Sequence, residues 1–507
     1  MLFYEPLFLF LFGPAVYLLY LFFGAAKARR ALILLCASVI FYGWSEPVFV
    51  FVVFGSVALD LYVARKIAAS PDSLILRSER SSRLEGGGRL SPSRFETRPS
   101  DAPQDEGDKA RARWLALGVV GNLAILIYYK YTGFLALNLD AFLKALTLPG
   151  INIPQIALPI GVSFIVFEKI TYLVDVYRGV TAPARPFLYG LYVFFFPKLL
   201  AGPIIKYHDI ARQFEEMRHA DMADFVAGFS RFMLGVVKKL LLADTLASGA
   251  DMIFARDPST LGFTEAWAAA MFFTFQIYFD FSGYSDMAIG LARMFGFRLL
   301  ENFNMPYVAT SITDFWRRWH MSLTSWIREY LYFPLGGNQR GEARTYFNLW
   351  ICFLASGVWH GAAWTYVAWG VYNGAFLVLD RLFLLRRLER LPDWLANVVT
   401  MIVVIVGWTL FRATSFAQAG ALLALMAQPW ATASAPVAIP EEYVVVALIA
   451  AAICVAQRVS LFFEGFDWAI AAQRFALASN GALSILFIAA LAKGLADPFK
   501  PFIYFRF

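Results

Sequence analysis

The sequence predicts an all-α fold, a polytopic transmembrane helical bundle of about ten to twelve spans with added re-entrant and amphipathic helices. Three observations predict it. The chain is 59% hydrophobic and 16% charged, against roughly 45–50% and 25% in soluble domains. Apolar stretches close to the ~20 residues that cross a bilayer recur at 7–23, 114–129, 225–243, 266–279 and 396–411. The basic residues behind the net charge of +7 are dispersed among short loops, a pattern that sets membrane topology rather than one that binds nucleic acid. The 50 Phe, 23 Tyr and 14 Trp fit lipid contact and interfacial belts. Cys36, Cys352 and Cys454 stand alone in apolar sequence, so neither a disulfide framework nor a zinc site is indicated.

Taken in order, residues 1–64 read as N-terminal transmembrane helices. The start, Met1-Leu-Phe-Tyr-Glu-Pro6, has no basic leader and no small-residue cleavage site, so it reads as a retained first helix. Lys27-Ala-Arg-Arg30 places the following loop in the cytoplasm and the N-terminus on the periplasmic side. Two more apolar runs return the chain to residues 65–113, where 11 basic residues stand against 8 acidic ones around Gly86-Gly-Gly88. This is expected to be a flexible cytoplasmic loop. A central core over 114–390 and C-terminal helices over 391–507 complete the division.

Within the core, 155–178 and 187–206 carry Pro159, Gly161, Pro197, Gly202 and Pro203 in apolar sequence. Broken helices of this kind belong where backbone is buried in protein or lines a cavity. Residues 209–224 read as an amphipathic interfacial helix, with His208 and His219 solvated at its edges. From Trp267 to Ala292 the sequence is apolar except around Asp280 and Asp286. Each carboxylate would cost about 2.5–3.5 kcal/mol at mid-bilayer, so both are expected to pair inside the bundle. Residues 311–334 read as an amphipathic helix capped by Thr313 or Asp314. Arg340 and Arg344 precede 345–380, and Arg381, Arg386, Arg387 and Arg390 follow it. Both flanks then lie in the cytoplasm, and the chain enters and returns with a break near Gly357 to Gly361. About 15 helical residues carry His360 roughly 20 Å in. Residues 413–457 hold no Lys or Arg, which puts the hairpin tip near Pro429 to Glu442 outside.

The chemistry is expected at His320 and His360, two of only four histidines, each among aromatic residues. Titratable groups in a membrane bundle are functional candidates because their burial is costly. Acyl transfer to a hydroxyl needs a base within about 3 Å of the attacking oxygen. His360 suits this, since desolvation against Trp359 and Trp364 keeps an imidazole neutral. His320, Asp280 or Asp286 could orient it or hold the acceptor. Arg317, Arg318 and Arg328 could grip the phosphates of a nucleotide-bearing donor, although Arg317 and Arg318 also suit ordinary cytoplasmic anchors. With no His-Glu-x-x-His pair, no metal site is expected.

Asp314-Phe-Trp-Arg-Arg-Trp-His320-Met-Ser-Leu-Thr, followed forty residues later by Trp359-His360-Gly-Ala-Ala-Trp364, resembles the signature of the membrane-bound O-acyltransferase family. The likeness is strongest to its bacterial branch that acetylates alginate and other exopolysaccharides. Leu158-Pro-Ile-Gly-Val-Ser-Phe, Tyr172-Leu-Val-Asp-Val-Tyr-Arg-Gly179, Ala201-Gly-Pro-Ile204, Tyr278-Phe-Asp-Phe-Ser-Gly-Tyr-Ser-Asp286, Glu301-Asn-Phe-Asn304-Met-Pro-Tyr307, Tyr332 through Asn338 and the terminal Phe502-Ile-Tyr-Phe extend it over nearly the whole chain. The segment 71–113 is longer than the usual loop, and Arg506 stands where Gln is commoner. The resemblance implies a central tunnel meeting at His360, with His320 as the second family histidine and Asn304 among the supporting residues. It implies an acetyl group drawn from a cytoplasmic thioester, acetyl-CoA or an acyl carrier, with no bound cofactor. It further implies delivery across the inner membrane for O-acetylation of a polysaccharide acceptor, with a periplasmic acetyltransferase partner. His360 could act as general base or carry the acetyl as an acyl-imidazole.

Two rivals stay open. The same fold could move D-alanine for teichoic acid or acetyl for peptidoglycan. From another class, a lipid-linked sugar transporter would also use broken helices with intramembrane Asp and His, though no internal repeat is evident.

Overall fold

The described residues, 1–69, 103–151, 156–462, 468–497 and 500–503 of a computed structural model, form helices and no strands. A helix satisfies its backbone N–H and C=O groups internally, which hydrocarbon requires. Among the described residues, six helices are long and apolar enough to cross a membrane: Lys27–Ser45, Gly107–Ala145, Trp364–Leu388, Asp393–Arg412, Glu441–Val459 and Ser479–Ala496. The protein is therefore a multi-pass helical membrane protein. Other apolar runs are shorter, broken or more polar; Phe49–Ala68 carries Asp60, Arg65 and Lys66.

Two compact units divide the chain. The first comprises Phe12–Leu200 and Ile204–Arg218 with Met1. Its helices are α1 (Gly13–Phe23), α2 (Lys27–Ser45), α3 (Phe49–Ala68), α4 (Pro103–Leu126), α5 (Thr132–Ala145), α6 (Val162–Tyr177), α7 (Pro186–Phe194), α8 (Phe196–Leu199) and α9 (Tyr207–Glu216). Helix thus reaches into the stretch 65–113 from both sides, while 70–102 lie outside the described residues. The breaks expected at Pro and Gly are present. Gly161, at φ 76°, starts α6 from a left-handed turn, and Phe195 interrupts the run between α7 and α8. Buried charges are met in pairs, as burial demands. Lys169 Nζ lies 3.3 Å from Asp60 Oδ2, which also accepts from Tyr189 Oη at 2.7 Å. Lys198 pairs with Glu168 on the neighbouring position of α6.

The amphipathic stretch ends sooner than its composition suggests. α9 stops at Met217, whose φ is 43°, and the chain restarts as helix only at Met222, capped by Asp221. His208 is not simply solvated: its Nδ1 lies 2.8 Å from the buried Asp175 and its Nε2 3.2 Å from Asp209. These carboxylates raise the imidazole from its ordinary 6.5 to about 10. His219 is exposed, and its Nδ1 lies 2.8 Å from the Ala220 carbonyl oxygen.

The second unit comprises Leu2–Leu11, Ala201–Pro203 and His219–Phe507. It contains α10 (Met222–Val237), α11 (Asp244–Phe254), α12 (Phe263–Met294), α13 (Ile312–Arg318), α14 (Met321–Ile327), α15 (Glu342–His360), α16 (Trp364–Leu379), α17 (Leu385–Leu388), α18 (Asp393–Arg412), α19 (Phe416–Met426), α20 (Glu441–Phe462) and α21 (Trp468–Ala496). α12 is its axis, buried along most of its 32 residues. α10 lies antiparallel to it at backbone contact, because Gly228 meets Gly290 and Gly235 meets Gly283 with no side chain between them. The same device closes α15 on α16. A Cβ at Gly357 would fall 2.4 Å from the Tyr366 carbonyl oxygen and 2.9 Å from the Gly370 Cα. The turn between these two helices is Gly361 to Ala363, so the chain reverses direction at the break expected near Gly357 to Gly361.

Candidate active site

The stretch 311–334 was expected to form one helix, and the structure bends it. Ser311, rather than Thr313 or Asp314, caps α13 by accepting from the Asp314 amide at 3.0 Å. Thr313 instead gives its amide and hydroxyl to Asp380 Oδ2, at 2.8 and 3.0 Å. At His320 the backbone turns left-handed, with φ 46°, and α14 begins at the next residue. Such a conformation costs a non-glycine residue about 1–2 kcal/mol. The extended segment after Glu301 supports it: the Asn304 amide donates to the Arg318 carbonyl at 2.9 Å, and the Met321 amide to the Asn302 carbonyl at 3.0 Å. The bend turns the His320 side chain inward.

There it meets His360, the last residue of α15. The two ring centroids are 6.5 Å apart, and both residues are buried, at 1% and 4% exposure. Trp359 touches both, 6.1 Å from His320 and 4.9 Å from His360. Phe281 stands edge-on to His320 at 4.7 Å, while Trp369 and Phe411 close on His360 at 5.1 and 5.5 Å. His320 lies outside the six spanning helices, and burial pushes its imidazole down to about 3. The ring is therefore neutral at physiological pH.

Two cavities border α12 near this region, and neither is lined by His320 or His360 themselves. One, of about 360 Å³, is lined by Gln276, Ala362, Thr365, Tyr366, Arg412 and Thr414 among others, beside the turn that follows His360. The other, of about 430 Å³, is lined by Arg231, Lys238, Tyr278, Ser285, Asp286, Glu301, Asn302 and Asn304 among others. Along α12 the first cavity touches Gln276 and the second runs from Tyr278 to Asp286.

Several expected site residues stand elsewhere. Asp280 and Phe281 are consecutive on α12 and so point about 100° apart. Phe281 therefore faces His320, while Asp280 lies 2.8 Å from Lys239 and accepts from the Ile503 amide at 2.7 Å. Arg317 and Arg328 are exposed, and Arg318 folds back on Asp314 at 2.9 Å. The buried face of α13 is formed by Ile312, Phe315 and Trp316, which leaves Arg317 and Arg318 on its outer side. None of the three arginines lines either cavity. Trp364 is 54% exposed, because the inward face of α16 runs through Thr365, Trp369 and Asn373 at four-residue spacing. Asp286, Asn304 and Trp359 do lie at the cavities or the histidines.

The cations that line the cavities are Arg231, Lys238 and Arg412. Arg231 grips Asp286 Oδ1 at 2.9 Å and Glu301 with two further bonds, and Lys238 reaches Asp286 Oδ2 at 2.6 Å. A signal for them exists in the sequence: the apolar run 225–243 is interrupted by cations only at Arg231 and Lys238-Lys239, and Arg231 and Lys238 are seven residues apart, two turns along one face of a helix. A cation in such a run is a site candidate in its own right.

A pair of buried imidazoles beside two polar cavities suits proton-coupled group transfer, and comparison with known proteins fits that chemistry. Residues 184–418 match the MBOAT, membrane-bound O-acyltransferase family. A probable alginate O-acetylase AlgI of Pseudomonas putida is 36% identical, with 100% of both chains covered. The chain belongs to the membrane-bound O-acyltransferase family. It is thus an O-acyltransferase, and the transporter alternative gives way to an enzyme. A probable alginate O-acetylase AlgI of Pseudomonas aeruginosa is 39% identical over 82% of this chain and 72% of its own. A peptidoglycan O-acetyltransferase of Helicobacter pylori is 32% identical over 83% of this chain and 78% of its own.

Proposed function

We propose that this O-acyltransferase takes acetyl from a cytoplasmic thioester, acetyl-CoA, and passes it across the inner membrane for O-acetylation of an alginate-like exopolysaccharide. The observation that carries the reading is the meeting of the buried His320 and His360, with one cavity beside the turn that follows His360 and another lined by Asn302, which bonds His320. The alginate O-acetylases similar to this chain support acetyl and alginate as the pair of substrates.

Orientation follows from charge. Arg386, Arg387 and Arg390 precede α18, and the positive-inside rule puts them in the cytoplasm. α18 runs 20 residues, about 30 Å, from Asp393 to Arg412. The cavity at Arg412 and Thr414 then opens toward the periplasm and receives the hydroxyl acceptor. The cavity at Arg231 and Asp286 faces the cytoplasm and receives the donor. The N-terminus is periplasmic and the 65–113 segment cytoplasmic. Completion of transfer onto the polymer by a separate periplasmic acetyltransferase is part of the same proposal.

At the pair, the attacking hydroxyl gives its proton to an imidazole as its oxygen bonds the acyl carbon, and the thiolate leaves. Incubating the purified protein together with the periplasmic acetyltransferase, isotope-labelled acetyl-CoA and candidate glycans tests this, with wild type beside His360→Ala. Label is expected in alginate with the wild type and to be lost with the variant. Undiminished acetylation by correctly inserted His360→Ala protein would sink the assignment. Label entering peptidoglycan and not alginate would select a second reading, which the Helicobacter pylori relative favours.

A further inference from the structure

Asn302 grips the left-handed bend at His320 with its side chain as well as its backbone. Its Oδ1 lies 3.3 Å from the Ser322 amide nitrogen, 2.9 Å from Ser322 Oγ and 3.1 Å from His320 Nδ1. Its Nδ2 donates to Ser285 Oγ at 3.3 Å. Which end of the carboxamide faces which partner is decided by one of these contacts. Serine hydroxyls donate or accept, so Ser322 Oγ and Ser285 Oγ fit either orientation. A backbone amide only donates. Rotating the carboxamide would set its NH₂ against the Ser322 N–H, donor to donor, so Oδ1 must face Ser322. The same oxygen faces His320 Nδ1, and that nitrogen must therefore carry a hydrogen. In a neutral imidazole the other nitrogen, Nε2, then holds the lone pair.

We infer that Asn302 is a positioning residue that holds His320 in the Nδ1–H tautomer, so that Nε2 accepts the proton of the attacking hydroxyl. This rests on the histidine pair being the site of acyl transfer. Burial keeps the ring neutral, so the lone pair is not lost to a proton from solvent. Around it stand Phe281 from α12 and Trp359 and His360 from α15; His360 is the titratable member of that set. Asp286, on the same helix as Phe281, is held by Arg231 and Lys238.

In the transfer, the hydroxyl oxygen forms its bond to the acyl carbon while its proton moves to Nε2. The carbon–sulfur bond breaks, the thiolate leaves with the electron pair and takes that proton, and the imidazole returns to its neutral form. The transient positive charge is shared through Nδ1–H to the Asn302 carbonyl, a dipole that does not itself change charge.

The chain contains four histidines, few enough for ¹⁵N-labelled imidazole spectra to resolve each ring, with His320 identified by the signals lost in His320→Gln. The wild type is expected to show a protonated Nδ1 and a bare Nε2 at His320; the opposite pattern would overturn the inference. This readout does not depend on turnover, so its failure is separable from failure of the acyl-transfer reading, which His360→Ala tests. Asn302→Leu is expected to lower kcat roughly 100-fold, the scale of a misplaced proton acceptor. Because that variant risks misfolding, Asn302→Asp is the second arm. Its carboxylate accepts the same bonds and raises the proton affinity of His320, so activity should acquire an acid limb at a higher pH than any shown by the wild type. A pH profile for Asn302→Asp that parallels the wild type would count against the proposal, since a purely structural asparagine would give that result.

Discussion

Trp359 and Trp364 flank the same short turn, and their surroundings are opposite. Trp359 is 5% exposed against both histidines, whereas Trp364 is 54% exposed on the outer face of α16. Trp369, one turn further on the inner face, is 1% exposed, packs on His360 at 5.1 Å and lies parallel to Trp408 at 5.9 Å. Trp369→Ala should therefore cost about 3–5 kcal/mol and depress transfer activity, while Trp364→Ala should stay within about 0.5 kcal/mol. Thermal unfolding in detergent, alongside acetyl transfer, checks this; equal effects of the two changes would contradict the placement. At this scale the histidines were legible from residue type alone, because a titratable ring in apolar aromatic sequence is costly without a purpose. The cations were not. Arg317, Arg318 and Arg328 sit close to His320 in sequence, but helical rotation carries them away, and Arg231 and Lys238 arrive from another helix. The resemblance marked Asn304 as a supporting residue, and it lines a cavity, while Asn302, two positions earlier, is the one that reaches His320.

Helix ends and bends show the same division. The breaks around Gly161, Phe195 to Pro197 and Gly361 follow from glycine and proline chemistry and were readable in advance. The left-handed bend at His320 was not, because nothing in an Arg-Trp-His-Met run asks for positive φ. The neighbouring Asn302–Asn304 segment imposes it through backbone bonds made across 14 to 19 residues of chain. The joint between α9 and α6 was likewise hidden, since His208 and Asp175 are 33 positions apart. It has a pH signature. The folded value of His208, about 10, lies above its ordinary 6.5. Its stabilising contribution is therefore complete below pH 6.5 and is lost as pH rises through about 10. Wild-type thermal stability should decline over that window, and His208→Gln should show a smaller decline. A variant curve that tracks the wild type at every pH would remove His208 from the account.

For the whole molecule, the decisive quantity is which face of the membrane each cavity meets. If Arg386 to Arg390 are cytoplasmic, a thiol at Thr414→Cys should react with a membrane-impermeant maleimide added to intact spheroplasts. One at Arg344→Cys should react only after permeabilisation. Cys36, Cys352 and Cys454 need replacement by Ala first. The reverse labelling pattern would exchange the donor and acceptor assignments of the two cavities. Composition and periodicity by themselves determined that this chain is a helical membrane protein, where its glycine and proline breaks fall and which imidazoles stand in apolar sequence, because hydrophobicity and helix-breaking chemistry are properties of local sequence. Only the tertiary structure decided which charges neutralise Asp280 and Asp286, which tryptophans face the histidines and which asparagine holds His320, because each of those depends on helices distant in sequence meeting at a particular rotation about their axes.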